Sequence, residues 1–195
     1  RGLLTKRFDK SYRLKGKSAS YCLSTKAAPF IKQNVEDVSE QTIQAIYQNK
    51  RISDEHVDVC MQIYELAIYI KQSYPDTFEV LTRIDQAGGE EYPKPGPHLF
   101  LRRRSKHTSK PNYYFIDMFP DVMQFVIKKR IDTYIEHFDE GDWMKDEYPT
   151  VLIGCPDNKM AKKLAKYVEN AKDDNYIDDN ELNIITFGNL SAIEL

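Results

Sequence analysis

The segment TVLIGC-PDNKMAKKLAKYVENA-LNIITF (150–155, 156–171 and 182–187) constrains the fold more than any other. It reads as a compact apolar strand, a capped helix with Met160, Leu164 and Val168 turned inward, and a second strand. Two strands joined through a helix in one sheet run parallel, with a right-handed crossover. Upstream, Pro120-Asp121 is expected to open a long amphipathic helix with Ile127, Ile131, Tyr134, Ile135 and Phe138 along one side, ended near Gly141. PDTFEVLTRID, PHLFLRRRS and NYYFIDMF read as three strands whose short connections predict an antiparallel meander. Ser53-Asp54-Glu55 starts a further helix, with Val57, Met61, Tyr64 and Ile68 at helical spacing and an end near Tyr74-Pro75. The order from Ser53 is thus helix, three strands, helix, strand, helix, strand.

The head of the chain has a different character. Residues 1–32 hold nine Lys/Arg and one acid, whereas the rest hold 19 Lys/Arg and 29 Asp/Glu, so a formal charge of −2 conceals +8 in the head and −10 in the body. Such asymmetry points to contact with nucleic acid or another acidic surface, or to a solvated tail. LLTKRF and SYCLST are strand-like, and the basic, Gly16-containing loop DKSYRLKGKSA between them predicts a hairpin with a long tip. Pro29 begins or interrupts a short helical piece, and another helix is expected around Glu40–Gln48. With 195 residues the chain can hold one good core plus a small appendage. We therefore divide it into a hairpin unit at 1–34, a linker with a helix at 35–52, and an α/β domain at 53–195. Position 1 already reads as structure, so further residues are expected ahead of Arg1.

No apolar run approaches membrane-spanning length, and none reads as a secretory leader. Cys22, Cys60 and Cys155 are far apart and odd in number, which argues against a disulfide framework or a zinc site and leads us to expect the reducing cytoplasm. Gly88-Gly89 lacks the Lys-Ser/Thr of a phosphate loop, and His56, His98, His107 and His137 form no i, i+4 pair and no HxH. Nicking through a metal and a nucleophilic tyrosine is accordingly not expected, nor is any cofactor.

The order of elements in 53–195 is the layout of restriction-endonuclease-like folds, a mixed α/β sheet flanked by helices. A working nuclease of that class needs clustered carboxylates for Mg²⁺ and a lysine to activate water. The usual Pro-Asp is replaced here by Pro97-His98, and Asp/Glu-x-Lys by Asp117-Met118-Phe119. Asp117 alone remains as a candidate catalytic acid, with Glu65 or Asp121 as outside partners. Its structural reading is a strand-end acid that caps a loop or meets an arginine. Arg102, Arg103 and Arg104, with Lys106 and Lys110, form a second basic cluster, and Lys128, Lys129 and Arg130 a third. Each is a candidate phosphate contact or a solvated edge. Trp143 and Tyr148 are expected to pack in the core.

RGLLTKR, a basic loop and then SYCLSTKAAPFI resembles the wing of a winged helix-turn-helix domain, with Ala27 where glycine is common. Together with SDEHVDVCMQIYELAIYI, PHLFLRRR, NYYFIDMF and IKKRIDTYIEHFDEGDWMKDEYPTVLIGCPDNKMAKKLAKYV, it resembles the replication-relaxation family of plasmid- and mobile-element-encoded proteins. The resemblance implies a winged helix followed by a degenerate nuclease-like body, with His98 and Phe119 standing where that family carries acids. It implies a DNA-binding accessory or regulatory protein in plasmid replication, relaxation or conjugative transfer. Its partners would be double-stranded DNA and a relaxase or replication initiator, with the body serving dimerisation or docking. The recognition helix would precede Arg1. The phosphate contacts would be Lys6, Arg7, Arg13, Lys15 and Lys17, with Tyr12 against the backbone and Arg102 and Arg104 as further candidates. Two other readings stand beside it: a divergent Mg²⁺-dependent nuclease, and a protein-interaction module that binds no DNA.

Overall fold

The computed structural model describes residues 2–8, 12, 16, 18–36, 38–49, 51–86, 88–105, 110–145, 147–178, 180–188 and 195. It divides into two compact units, Arg1–Asp54 and Glu55–Leu195.

In the first unit, β1 (Leu4–Arg7) pairs antiparallel with β2 (Ser20–Leu23), setting Leu4 opposite Leu23 and Arg7 opposite Ser20. The expected hairpin is present. Ser24 closes its base: its N–H donates to the Leu3 carbonyl at 2.8 Å and its hydroxyl to the Gly2 carbonyl at 2.6 Å. The twofold alternation of a strand turns Leu4, Lys6, Tyr21 and Leu23 to one, exposed side. Two helices follow, α1 (Ala27–Asn34) and α2 (Glu40–Gln48). Pro29 sits in the first turn of α1, where a missing N–H leaves no intrahelical bond unmade. Ser39 caps α2 by accepting the Thr42 N–H at 3.1 Å. Ala28, Ile43 and Ile46 form the small core of this pair, with Ile31 and Val38 against them.

The second unit takes in most of α3 (Asp54–Ser73), followed by β3 (Phe78–Thr82), β4 (Leu99–Arg103), β5 (Tyr113–Met118), α4 (Gln124–Asp139), β6 (Thr150–Gly154), α5 (Asn158–Asp174) and β7 (Ile184–Phe187). The five strands form one mixed sheet in chain order: β3, β4 and β5 are antiparallel, and β5, β6 and β7 parallel. Alternation splits each strand between two cores. Phe100, Phe115, Val151, Ile153 and Ile184 meet Ile127, Ile131, Tyr134 and Ile135 of α4 and Ala161, Leu164 and Val168 of α5. Leu99, Leu101, Tyr114, Ile116, Met118 and Leu152 meet Leu66 and Ile70 of α3. The body is a sheet between helices, as the patterning predicted. The helix expected at Pro120-Asp121 begins only at Gln124, because Phe119 N–H still donates to the Gly154 carbonyl at 2.8 Å and Met123 remains extended.

Asp157 accepts the Met160 N–H at 2.7 Å and starts α5, and the Thr186 hydroxyl donates to the Ala161 carbonyl at 2.8 Å, tying β7 to the first turn of that helix. Among the described residues no helix is long and apolar enough to cross a membrane.

Phe115 stacks on Tyr134 and meets Trp143 edge-on, with no exposed surface, so Phe115→Ala leaves a cavity at the centre of the body. It should lower the unfolding free energy by about 3–5 kcal/mol in urea titration, whereas Lys163→Gln on the exposed side of α5 should change it by less than about 0.5 kcal/mol.

Candidate functional site

The sheet topology brings several chain ends to one place. β3 runs against β4 and β4 against β5, so the end of β3, the start of β4 and the ends of β5, β6 and β7 share one edge. Open α/β sheets bind ligands at that carboxyl edge, near the strand where the connection pattern changes. Here that strand is β5, antiparallel to one neighbour and parallel to the other, and Asp117 lies near its end.

Asp117 shares the face of Phe115, two residues before it, and so points toward α4. Arg130 and Tyr134 stand one helical turn apart on that helix and therefore reach the same spot. The Asp117 carboxylate has 0% exposure. Its Oδ2 accepts from Arg130 Nε and from the Tyr134 hydroxyl at 2.8 Å; its Oδ1 accepts the His98 backbone N–H at 2.9 Å. Arg130, 7% exposed, also donates from Nη2 to the Tyr134 hydroxyl at 2.9 Å and from Nη1 to the Pro95 carbonyl at 2.6 Å. From the end of β3, Arg83 brings Nη2 to 3.7 Å from Oδ1 and donates from Nε to the Gly96 carbonyl at 2.7 Å.

His98 closes the open end of the β4–β5 pair. Its Nδ1 accepts the Met118 N–H at 2.9 Å, so the ring proton sits on Nε2 and the contact of Nδ1 with Asp117 Oδ1 at 3.3 Å is not an ion pair. Burial, aided by Arg83 and Arg130, pushes this imidazole down to about 4, against the attraction of Asp117. Burial would raise the Asp117 carboxyl, but the Arg130 charge and the hydrogen bonds from Arg130 and Tyr134 outweigh it and hold it below the usual carboxylate range. Burial and the neighbouring carboxylate push the Tyr134 phenol well up. At neutral pH the cluster is one carboxylate, two guanidiniums, a neutral imidazole and a neutral phenol.

A carboxylate so engaged is not arranged as a magnesium ligand, since Mg²⁺ demands several free oxygens in octahedral array. Glu65 and Asp121 are both exposed, and among the described residues no group of three His, Cys, Asp or Glu is placed to hold a metal ion. Asp117 thus takes the structural role weighed above, a strand-end acid that meets an arginine. Arg130 belongs to the buried stripe of α4, between Ile127 and Ile131, and its burial removes it from the third basic cluster; Lys128 lies over the Tyr167 ring at 4.1 Å. The stripe itself carries the signal: Arg130 and Tyr134 fall at i, i+4 on the face that also bears Ile127 and Ile131. Arg83 carries no comparable signal in sequence, because only sheet pairing places the end of β3 beside Asp117.

The other candidates lie elsewhere. Lys6 is exposed on the hairpin, its ammonium 4.9 Å from the Phe8 ring. Arg7 donates to the Ile52 carbonyl at 2.6 Å and lies 3.8 Å from Asp54. Tyr12 is buried, edge-on to Phe8. Arg13, Lys15 and Lys17 lie outside the described residues. Arg102 bonds Glu79 across the β3–β4 pair at 2.7 Å, and Arg104 lies 3.8 Å from Asp76. Trp143 packs in the core as expected and donates to the Glu147 carbonyl at 2.7 Å. It and Tyr148 also line an open cleft of about 700 Å³ by the starts of β5 and β6, the opposite end of the strands.

No protein-family model, curated protein or solved structure matches this chain.

Two consequences follow from the cluster. Asp117→Asn should cost about 3–5 kcal/mol in urea unfolding, because it leaves Arg130 buried without its counter-charge. His98 and His137 both carry pKa values lowered by burial, so folding favours their neutral forms. Their contribution is complete above the ordinary histidine value and is lost as pH falls below it, the His98 share between about 6.5 and about 4 at up to about 1.4 kcal/mol per pH unit. Unfolding midpoints between pH 7.5 and 4.5 should therefore decline, and decline less in His98→Gln.

Proposed function

We propose that this chain is a DNA-binding accessory or regulatory protein of plasmid or mobile-element replication, relaxation or conjugative transfer, with a restriction-endonuclease-like body that does not cut. The observation that carries the non-cutting half is the Asp117 carboxylate, engaged by Arg130 and Tyr134 where a nuclease of this layout would hold its metal. The element order of the body and the mixed five-stranded sheet agree with such a layout. The DNA-binding half rests on the +8 head and the antiparallel hairpin, which has the form of a wing. Cations on a wing neutralise phosphates and release counterions, so they contribute salt-dependent affinity and positioning more than base readout. Within the hairpin Lys6 is the exposed cation among the described residues, and Arg7 contributes charge from a more enclosed place. A relaxase or replication initiator is the proposed protein partner, with the body as its docking or dimerisation element.

Gel-shift titration of a short duplex should give affinity that falls with salt, with Lys6→Gln lowering the slope of log K against log[salt] by about 1. Absence of binding at low salt would favour the protein-interaction reading. Incubation with supercoiled plasmid and Mg²⁺ or Mn²⁺ should leave the plasmid intact. Nicking that disappears in Asp117→Ala would overturn the proposal in favour of a divergent metal-dependent nuclease.

A further inference from the structure

The charges at the carboxyl edge of the sheet do not balance. Two guanidiniums face one carboxylate, and His98, held neutral by the Met118 N–H at its Nδ1, adds nothing. One positive charge is left over beside Asp117, Arg130 and His98, which are themselves largely withdrawn from water. Arg130 does not offer it outward, because its Nε, Nη1 and Nη2 are committed to Asp117, Pro95 and Tyr134. Arg83 does. Its hydrogen bond to a described residue uses Nε, its Nη2 stands 3.7 Å from Asp117, beyond hydrogen-bond reach, and its side chain is 42% exposed. Burial, against the attraction of Asp117 and with repulsion from Arg130, lowers its pKa, as expected of a cation that an added anion would stabilise.

A second donor stands next to it. The proton of His98 is on Nε2, the ring is 11% exposed, and Nε2 makes no hydrogen bond to a described residue. Arg83 Nη2 and His98 Nδ1 lie 3.7 and 3.3 Å from the same oxygen, Asp117 Oδ1, so the two side chains flank one point of the edge. The acids at hand do not compete for an anion: both Asp117 oxygens are engaged, and Asp85 accepts from the Thr82 N–H and hydroxyl, both at 2.7 Å.

We propose that this edge is a phosphate seat, in which the Nη groups of Arg83 and the Nε2–H of His98 hold the oxygens of a phosphate group. The buried Arg130–Asp117–Tyr134 unit fixes both donors and supplies the positive field that a metal ion supplies in a nuclease. The guanidinium fork matches phosphate geometry, and among the described residues no group beside it is placed to activate water, so the seat is one that binds without cleaving. The phosphate is that of a nucleic-acid backbone, an assignment that rests on the DNA-binding reading above; free phosphate presents the same oxygens.

The experiment is a titration of the full chain with inorganic phosphate, followed by ¹⁵N-detected NMR of the His98 ring, assigned through its loss in His98→Gln. The His98 Nε2 resonance should move saturably. Arg83→Gln should weaken the titration about tenfold, Arg83→Lys less, and Lys163→Gln not at all. No movement at His98, or equal titration in Arg83→Gln, overturns the seat. Gel shifts of a short duplex with the same variants separate the two sources. Weaker duplex binding in Arg83→Gln, with a smaller salt slope, identifies the backbone. A seat that takes phosphate in a chain that binds no duplex sustains the site and overturns the DNA-binding reading. Duplex binding with a phosphate titration indifferent to Arg83 does the reverse.

Discussion

Burying the Asp117 carboxylate governs the carboxyl edge of the sheet. An ion of this size loses several kcal/mol of hydration on leaving water, and only well-placed donors offset the loss. Here they come from separate stretches of chain, Arg130 and Tyr134 on α4 and the His98 backbone ahead of β4, with the charge of Arg83 just beyond β3 added at 3.7 Å. Each donor is itself held. Arg130 reaches the Pro95 carbonyl, Arg83 the Gly96 carbonyl, and His98 accepts from Met118. The 95–98 segment is therefore tied to the end of β5 by charge and hydrogen bonding. Gln86 reinforces it from inside, donating to the Pro97 carbonyl at 3.2 Å and to the Leu81 carbonyl at 3.3 Å.

The same arrangement decides what chemistry the edge supports. A metal-dependent nuclease keeps carboxylate oxygens free and negative so that Mg²⁺ can enter. In this chain the Arg130 guanidinium binds the Asp117 carboxylate, and a guanidinium cannot polarise a bound water as a metal does. Phe119 packs beside the His98 ring. A positive field at this edge favours an anion, which is why binding is the function we propose for it.

Most of the body could be read from pattern. The alternation in β4 and β5 separates Phe100 and Phe115 from Leu99, Leu101, Tyr114 and Ile116, and the two sets meet helices on opposite faces. The strand–helix–strand unit at the end of the chain dictated parallel strands, and β6 and β7 are parallel. The site was less legible. Asp117 stood out as the acid left in the place of an Asp/Glu-x-Lys pattern, but its true partners did not. Arg130 looked like one of three surface cations, since a basic triplet on a helix gives no hint of which member turns inward until the apolar stripe is traced through it. Arg83 lay in an ordinary strand segment.

By itself the sequence determined the order of elements, the antiparallel hairpin of the head, the two-faced sheet of the body and the uneven distribution of charge along the chain. These follow from local periodicity and composition, which neighbouring residues encode. Only the tertiary structure decided that Asp117 is clamped rather than open, that Arg130 is buried, and that Arg83 and His98 flank the same Asp117 oxygen. Those facts depend on which strands become neighbours and how an arginine on a helix is set against the end of a strand, relations among residues as far apart in the chain as 83 and 134.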